Sequence, residues 1–210
     1  MDSYQITFDT WNKVASVYQD KFMDLDMYHD TYDRFCQLIE KRDSSVFEIG
    51  CGPGNVTKYL LSRRPDLSIE AIDVSPNMIA LAQANNPSAR FMVMDCREIG
   101  TFNAKFDAII SGFCMPYLSK EDCAKFIQDC SALLQTAGIF YFSTIKGDYR
   151  NSGYAIASTG DRTYTYYYDE DYLLQELKQN EFELLDLAYK NYPKSDGTTE
   201  VDMIFMARKV

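Results

Sequence analysis

Seven residues restrict this chain more than any others. Glu48-Ile49-Gly50-Cys51-Gly52-Pro53-Gly54 stands between a short apolar run, Val46 to Ile49, and a helical pattern from Asn55 to Arg63. A strand that passes through three alternating glycines into a helix makes a tight turn, and without Cβ atoms its backbone lies open to a ligand. Pro65 stops the helix. A second apolar run, Ser68 to Ile72, then ends at Asp73, 19 residues after Gly54. A carboxylate there can accept hydrogen bonds from ribose hydroxyls. A dinucleotide fingerprint, Gly-x-Gly-x-x-Gly, would need glycine at position 55, where asparagine stands. It would also set a pyrophosphate on the helix N-terminus. An NAD-type oxidoreductase is therefore disfavoured.

The rest of the chain repeats the strand–helix rhythm. Ser75-Pro76 gives an N-cap with proline in the first turn, opening a helix through about Ala84. Strands are expected at Arg90 to Met94, Phe106 to Ser111 and Ile139 to Thr144. A helix opens at the capping box Ser119-Lys120-Glu121-Asp122 and ends near Thr136, with Gly138 just beyond. Asp169 to Asn180 reads as another helix. Two closing strands, about Phe182 to Tyr189 and Val201 to Ala207, are joined by Pro193-Lys194-Ser195-Asp196-Gly197, which suits an antiparallel hairpin. The fold expected is α/β, a Rossmann-like three-layer sandwich. Its seven-stranded sheet is mostly parallel, with one antiparallel strand in an edge hairpin. Trp11, Val14 and Tyr18, then Phe22 and Leu25, recur at helical spacing, so residues 1–42 read as an N-terminal helical cap on a single domain, 1–210. A Gly-, Ser-, Thr- and Tyr-rich insertion, 145–168, lies where α/β folds place ligands, over the pocket for a second ligand.

In order and spacing, four segments resemble the class I S-adenosylmethionine-dependent methyltransferases: VFEIGCGPGN (46–55), AIDVSPNMIALA (71–82), FMVMDCREI (91–99) and FDAIISGFCMPYLS (106–119). The resemblance covers about Val46 to Ala207. It implies S-adenosylmethionine as cofactor, with S-adenosylhomocysteine as product. It puts the first segment, with Glu48, Gly50, Cys51 and Gly52, at the methionine portion. Asp73 falls at the ribose hydroxyls, with Val74 and Met78 near the nucleoside. Asp95 falls at the adenine amino group, with Cys96 beside it, and residues from Ser111 onward, Phe113 among them, meet cofactor and substrate. In related enzymes an N-terminal helix closes over the cofactor, which adds Tyr18 and Trp11. Methyltransferases of exocyclic base amines carry Asn/Asp-Pro-Pro-Tyr/Phe in the fourth segment. This chain has Phe113-Cys114-Met115-Pro116-Tyr117 instead.

Charge sharpens that departure. With 31 acidic against 21 basic residues and a net charge of -10, the surface offers little to phosphates or to an anionic membrane. A small-molecule methyl acceptor is the expected partner, with no nucleic acid and no membrane. No apolar run is long enough to span a bilayer and no secretory signal opens the chain, so a cytoplasmic location is expected. None of the six cysteines forms a Cys-x-x-Cys pair and His29 is the only histidine, so no metal is expected. Transfer from a sulfonium needs positioning and, for a hydroxyl or protonated amine, a base. His29 and Tyr117 are the catalytic candidates. Tyr117, Tyr164 and Tyr166 are candidates for the acceptor pocket, offering flat faces with hydroxyl handles. If the tail Arg162 to Tyr168 is a strand, Tyr164, Tyr166 and Tyr168 project from one face, and such an exposed aromatic face would alternatively serve self-association, as a homodimer. The rival from another class is a non-catalytic S-adenosylmethionine-binding partner or regulatory subunit.

Overall fold

A computed structural model of the chain describes residues 2–156, 160–194 and 197–210. Three helices come first: α1 (Ser3–Lys13), α2 (Ala15–Phe22) and α3 (His29–Leu38). Then follow β1 (Ser45–Ile49), α4 (Asn55–Arg63), β2 (Ser68–Asp73), α5 (Pro76–Asn85), β3 (Arg90–Val93), β4 (Phe106–Ser111), α6 (Lys120–Leu133) and β5 (Leu134–Ile145). A small hairpin, β6 (Gly153–Ile156) with β7 (Arg162–Thr165), leads to α7 (Glu170–Gln179), β8 (Phe182–Pro193) and β9 (Thr199–Lys209). The sheet order is β3-β2-β1-β4-β5-β9-β8. The first five strands are parallel, and β9 runs antiparallel to both β5 and β8. The reversed strand is thus the inner member of the edge hairpin. Ser195 and Asp196, within the expected hairpin link, and residues 157–159 of the insertion lie outside the described residues.

Alternation along the strands divides the core in two. Phe47, Ile49, Ile109, Phe140, Phe142 and Phe205 face a layer formed by α6 and α7. Val46, Ala108, Ile110, Tyr141, Ile204 and Met206 face α3, α4 and α5. Both faces of these strands are buried, as continuous apolar runs such as Phe106 to Ser111 require. Caps hold the helix starts where expected: the Ser75 side chain accepts from the Met78 N–H, and that of Ser119 accepts from the Asp122 N–H. The helix expected to run to Thr136 stops at Leu133. Leu134 already pairs with Phe106 of β4, which draws the backbone into the sheet four residues before Gly138. Cys96–Thr101 forms a short 3-10 turn capped by Asp95, which had no periodic signal.

The N-terminal helices begin at Ser3, ahead of the apolar spacing that starts at Trp11. The start of α1 rests on α6, where the Ser119 N–H donates to the Tyr4 hydroxyl (2.8 Å). Its end rests on α5, where Asn12 Oδ1 accepts from the Ser75 hydroxyl (2.9 Å) and the Asn77 N–H (3.0 Å). The hairpin clasps its outer side. The Tyr164 N–H donates to Thr7 Oγ1 (3.0 Å), Thr10 Oγ1 donates to the Arg162 carbonyl (2.8 Å), and Lys13 pairs with Asp161 (2.7 Å).

Candidate active site

From β1 the chain turns outward to β2 and β3, then returns to β4 on the other side, so the carboxyl ends of β1 and β4 flank a switch point. Open α/β sheets bind ligands in that crevice. Here it is a first chamber of about 780 Å³. The turn after β1 supplies Gly50 and Gly52, β2 ends in Asp73, and the segments after β3 and β4 bring Asp95, Cys96, Gly112 and Phe113. Val74 and Met78 complete the sheet side, and Phe8, Trp11 and Tyr18 come down from α1 and α2.

The glycine turn is held by the aspartate predicted to bind beside it. Asp73 Oδ2 accepts from the Gly52 N–H (2.9 Å) and Oδ1 from the Ser75 N–H (2.9 Å). Burial raises the Asp73 carboxyl above its ordinary range, and these backbone donors partly offset the rise. Gly52 sits at φ +52°, where an added Cβ would make only ordinary contacts, whereas Gly54 sits at φ +81° against Asn86 and Ala82. Asp95 is gripped by Arg97, whose Nη2 lies 2.5 Å from Oδ2 and whose guanidinium stacks 4.0 Å from the Tyr4 ring. Cys96 and Cys114 meet on the wall with sulfurs 3.4 Å apart. Trp11 Nε1 is buried and makes no hydrogen bond among the described residues.

A second chamber, about 1,110 Å³, shares Trp11, Tyr18, Gly50, Gly52, Phe113 and Tyr117 with the first. It continues under α3 and β9 to Tyr28, Tyr32, Tyr192, Glu200 and Asp202. Trp11 meets both Tyr18 and Tyr117 edge-on, with centroids 5.5 Å apart in each pair. Burial pushes the Tyr18 phenol up to about 12 and raises that of Tyr117 further, so both keep their protons at neutral pH. Phe113 occupies the partition at φ +58°, its N–H donating to Ser143 Oγ (2.9 Å). The buried Tyr28 hydroxyl donates to Asp202 Oδ2 (2.7 Å).

The two chambers therefore collect Tyr18, Gly50, Cys51, Gly52, Asp73, Val74, Met78, Asp95, Cys96, Phe113 and Tyr117 from the expected set. Other expected residues stand elsewhere. Glu48 is buried behind the turn, where Thr57 of α4 donates to it and burial pushes its carboxyl up to about 8. Ser111 is fully buried and belongs to neither lining. His29 stacks on Tyr59 of α4 with ring centroids 4.0 Å apart, outside both linings. Tyr164 and Tyr166 belong to an aromatic ladder. They lie 4.7 Å apart, Tyr164 against Tyr154 (5.1 Å) and Tyr166 against Tyr149 (5.8 Å), behind α1 and outside both linings. Tyr168 closes that ladder as a core residue, its hydroxyl donating to the Leu118 carbonyl (2.5 Å). Asp202, Tyr28, Tyr192 and Glu200 were not anticipated. The available signal was Asp202 itself, an acid in the otherwise apolar strand Val201 to Ala207.

Comparison with known proteins finds methyltransferases, by sequence over one segment and by fold over most of the chain. Residues 46–138 match the family model of a methyltransferase domain. A malonyl-[acyl-carrier protein] O-methyltransferase of Acetivibrio thermocellus is 33% identical over 109 residues, 51% of this chain and 38% of that protein. A S-adenosylmethionine-dependent methyltransferase from Clostridium acetobutylicum superposes with a TM-score of 0.72 at 19% identity, over 95% of this chain and 98% of that one. The 1,6-didemethyltoxoflavin-N1-methyltransferase of Burkholderia thailandensis superposes with a TM-score of 0.71 at 19% identity, over 98% and 88%. These last two likenesses are of fold. The matched segment spans less than half the length of the curated relatives. Residues 46–138 thus match a methyltransferase domain, and the chain shares the fold of solved S-adenosylmethionine-dependent methyltransferases. Among the described residues, no helix is long and apolar enough to cross a membrane.

Proposed function

We propose that this protein transfers a methyl group from S-adenosylmethionine to a small-molecule acceptor. The observation that carries the reading is the pair of chambers meeting at Gly50, Gly52 and Phe113, one on the nucleoside side of the switch point and one beyond it. The first chamber suits the cofactor. Asp73 offers a carboxylate for ribose hydroxyls, Val74 and Met78 an apolar bed for the nucleoside, and Asp95 with Cys96 a polar edge for adenine. The turn at Gly52 leaves room for the methionine portion, and the Trp11 indole N–H supplies a buried donor in need of an acceptor. When bound, the cofactor supplies an activated methyl: the acceptor's lone pair forms the new bond to carbon as the carbon–sulfur bond breaks, leaving its pair on sulfur.

The protein's own part is positional. Residues of α1 and α2 cover the cleft and exclude water, and Phe113 and Tyr117 set the distance between the two ligands. With their protons retained, Tyr18 and Tyr117 serve as walls and hydrogen-bond donors rather than as bases. The direct test is calorimetry with S-adenosylhomocysteine and with NADH, followed by incubation with labelled S-adenosylmethionine and a metabolite extract. Binding of S-adenosylhomocysteine alone and a labelled product are expected. Binding of NADH in its place would overturn the assignment. Asp73→Ala should lower S-adenosylhomocysteine affinity by about 1–3 kcal/mol, the usual effect of leaving polar partners unpaired.

A further inference from the structure

The second chamber has a composition that selects among acceptors. Its walls are aromatic: Trp11, Tyr18, Phe22, Tyr28, Phe113 and Tyr117. On its floor lies Asp202, only 3% exposed. Its Oδ2 accepts from Tyr28, and no hydrogen bond to its other oxygen and no salt bridge to it occurs among the described residues. A carboxylate taken out of water is costly unless a positive charge meets it. The other charged groups of the lining do not fill that role. Lys21 is exposed, its Nζ 4.8 Å over the Phe22 ring. Glu200 is held by Lys194 (3.0 Å) and lies within 3.4 Å of the Tyr167 hydroxyl. An aromatic box with one buried, cation-less carboxylate is the arrangement that binds an ammonium, through the ring faces and the charge together.

Resting on the methyltransferase reading above, we infer that the acceptor is an amine that enters as a cation, held by the aromatic walls with its nitrogen against Asp202. The carboxylate then takes one proton, converting R–NH3+ and Asp202–COO− to R–NH2 and Asp202–COOH. This frees the nitrogen lone pair that the transfer consumes, and the proton leaves to solvent when Asp202 reionises. Tyr28 positions the carboxylate through its hydrogen bond. In the absence of a cation, burial and the nearby Glu200 push the Asp202 carboxyl up to about 6, outweighing the lowering by Tyr28, so it remains largely ionised at neutral pH and can receive the charge. A carboxylate acceptor would meet Asp202 with the same sign, and Lys21, the cation of the lining, is exposed to solvent.

Three molecules of one shape separate these cases: tyramine (a cation), tyrosol (neutral) and 4-hydroxyphenylacetate (an anion). Each is titrated by calorimetry into the full chain saturated with S-adenosylhomocysteine. Tyramine should bind at least tenfold more tightly than tyrosol, and 4-hydroxyphenylacetate should not bind. Asp202→Asn keeps the Tyr28 contact and should bring the tyramine-to-tyrosol ratio close to one while leaving S-adenosylhomocysteine affinity unchanged. Tyr28→Phe should keep the preference for the cation. Equal binding of tyramine and tyrosol to the loaded wild-type chain, or a preference that survives Asp202→Asn, would overturn the inference and leave the methyltransferase reading intact. Failure of S-adenosylhomocysteine to bind the wild-type chain would instead remove both.

Discussion

Adding one methyl group to the glycine turn should separate folding from binding. Gly52 and Gly54 both have positive φ, +52° and +81°, and an L-residue in that region costs roughly 1–2 kcal/mol. Their surroundings differ. A Cβ on Gly52 would meet only Tyr18 Cε1 at 3.6 Å and Asn55 Oδ1 at 4.0 Å, ordinary contacts. A Cβ on Gly54 would stand 2.4 Å from Asn86 Nδ2 and 3.2 Å from Ala82 Cα. That Asn86 amide is buried and donates to the Gly54 carbonyl (2.9 Å), so displacing it adds about 1–3 kcal/mol for an unmade hydrogen bond. Gly52→Ala should therefore lose about 1–2 kcal/mol and lower Tm by roughly 2–8 °C, while Gly54→Ala loses about 2–5 kcal/mol. Binding should reverse the order. The new methyl at position 52 fills space between the turn and Tyr18 that both chambers share, and should weaken S-adenosylhomocysteine by tenfold or more. Urea denaturation and calorimetry on the two variants measure both quantities. A Gly52→Ala protein that binds like wild type, or that unfolds more readily than Gly54→Ala, would refute the reasoning.

Other residues offer further tests. His29→Ala should leave S-adenosylhomocysteine affinity and turnover within about twofold, because the ring stacks on Tyr59 outside both chambers; a fall in kcat with an altered pH profile near neutrality would restore it as a base. Glu48, pushed up to about 8 when folded, keeps a proton that the unfolded chain loses near its ordinary 4.5. Stability from this group is full below pH 4.5 and declines as pH rises towards 8, so denaturation midpoints of Glu48→Gln should fall less over that window than those of wild type. Thr7→Val leaves the Tyr164 N–H without its acceptor, costing about 1 kcal/mol. It should also loosen α1, seen as faster proteolysis near the N-terminus and a raised KM for the cofactor.

The residues around the first chamber were legible because each follows directly from a strand end. Gly50 and Gly52 after β1, Asp73 at the end of β2, Asp95 after β3 and Phe113 after β4 reach the same crevice by topology alone. The second chamber has no such local logic. Tyr28 and Asp202 are 174 residues apart and meet only because β9 inserts between β5 and β8 while α3 packs across the same face. His29 stands apart from the chambers for a related reason. Its proximity in sequence to Tyr28 says nothing of which way the first turn of α3 faces, and the ring turns to α4 while Tyr28 turns inward. Tyr164, Tyr166 and Tyr168 would share one face only if a strand ran through all three. That strand ends at Thr165, and the rings beyond it join the ladder against Tyr149 and Tyr172.

Phe113, a bulky residue at φ +58° on the partition between the chambers, implies that shape and stability are in conflict at one point. A left-handed phenylalanine costs of order 1–3 kcal/mol and persists because its surroundings over-determine it. Glycine or asparagine would hold the same backbone more easily. Libraries at this position sorted by thermal endurance should drift towards those two residues, and libraries sorted by product formation should return to the aromatic ring. The distance between the two sorted populations measures how much fold stability this chain gives up to keep its ligands correctly spaced.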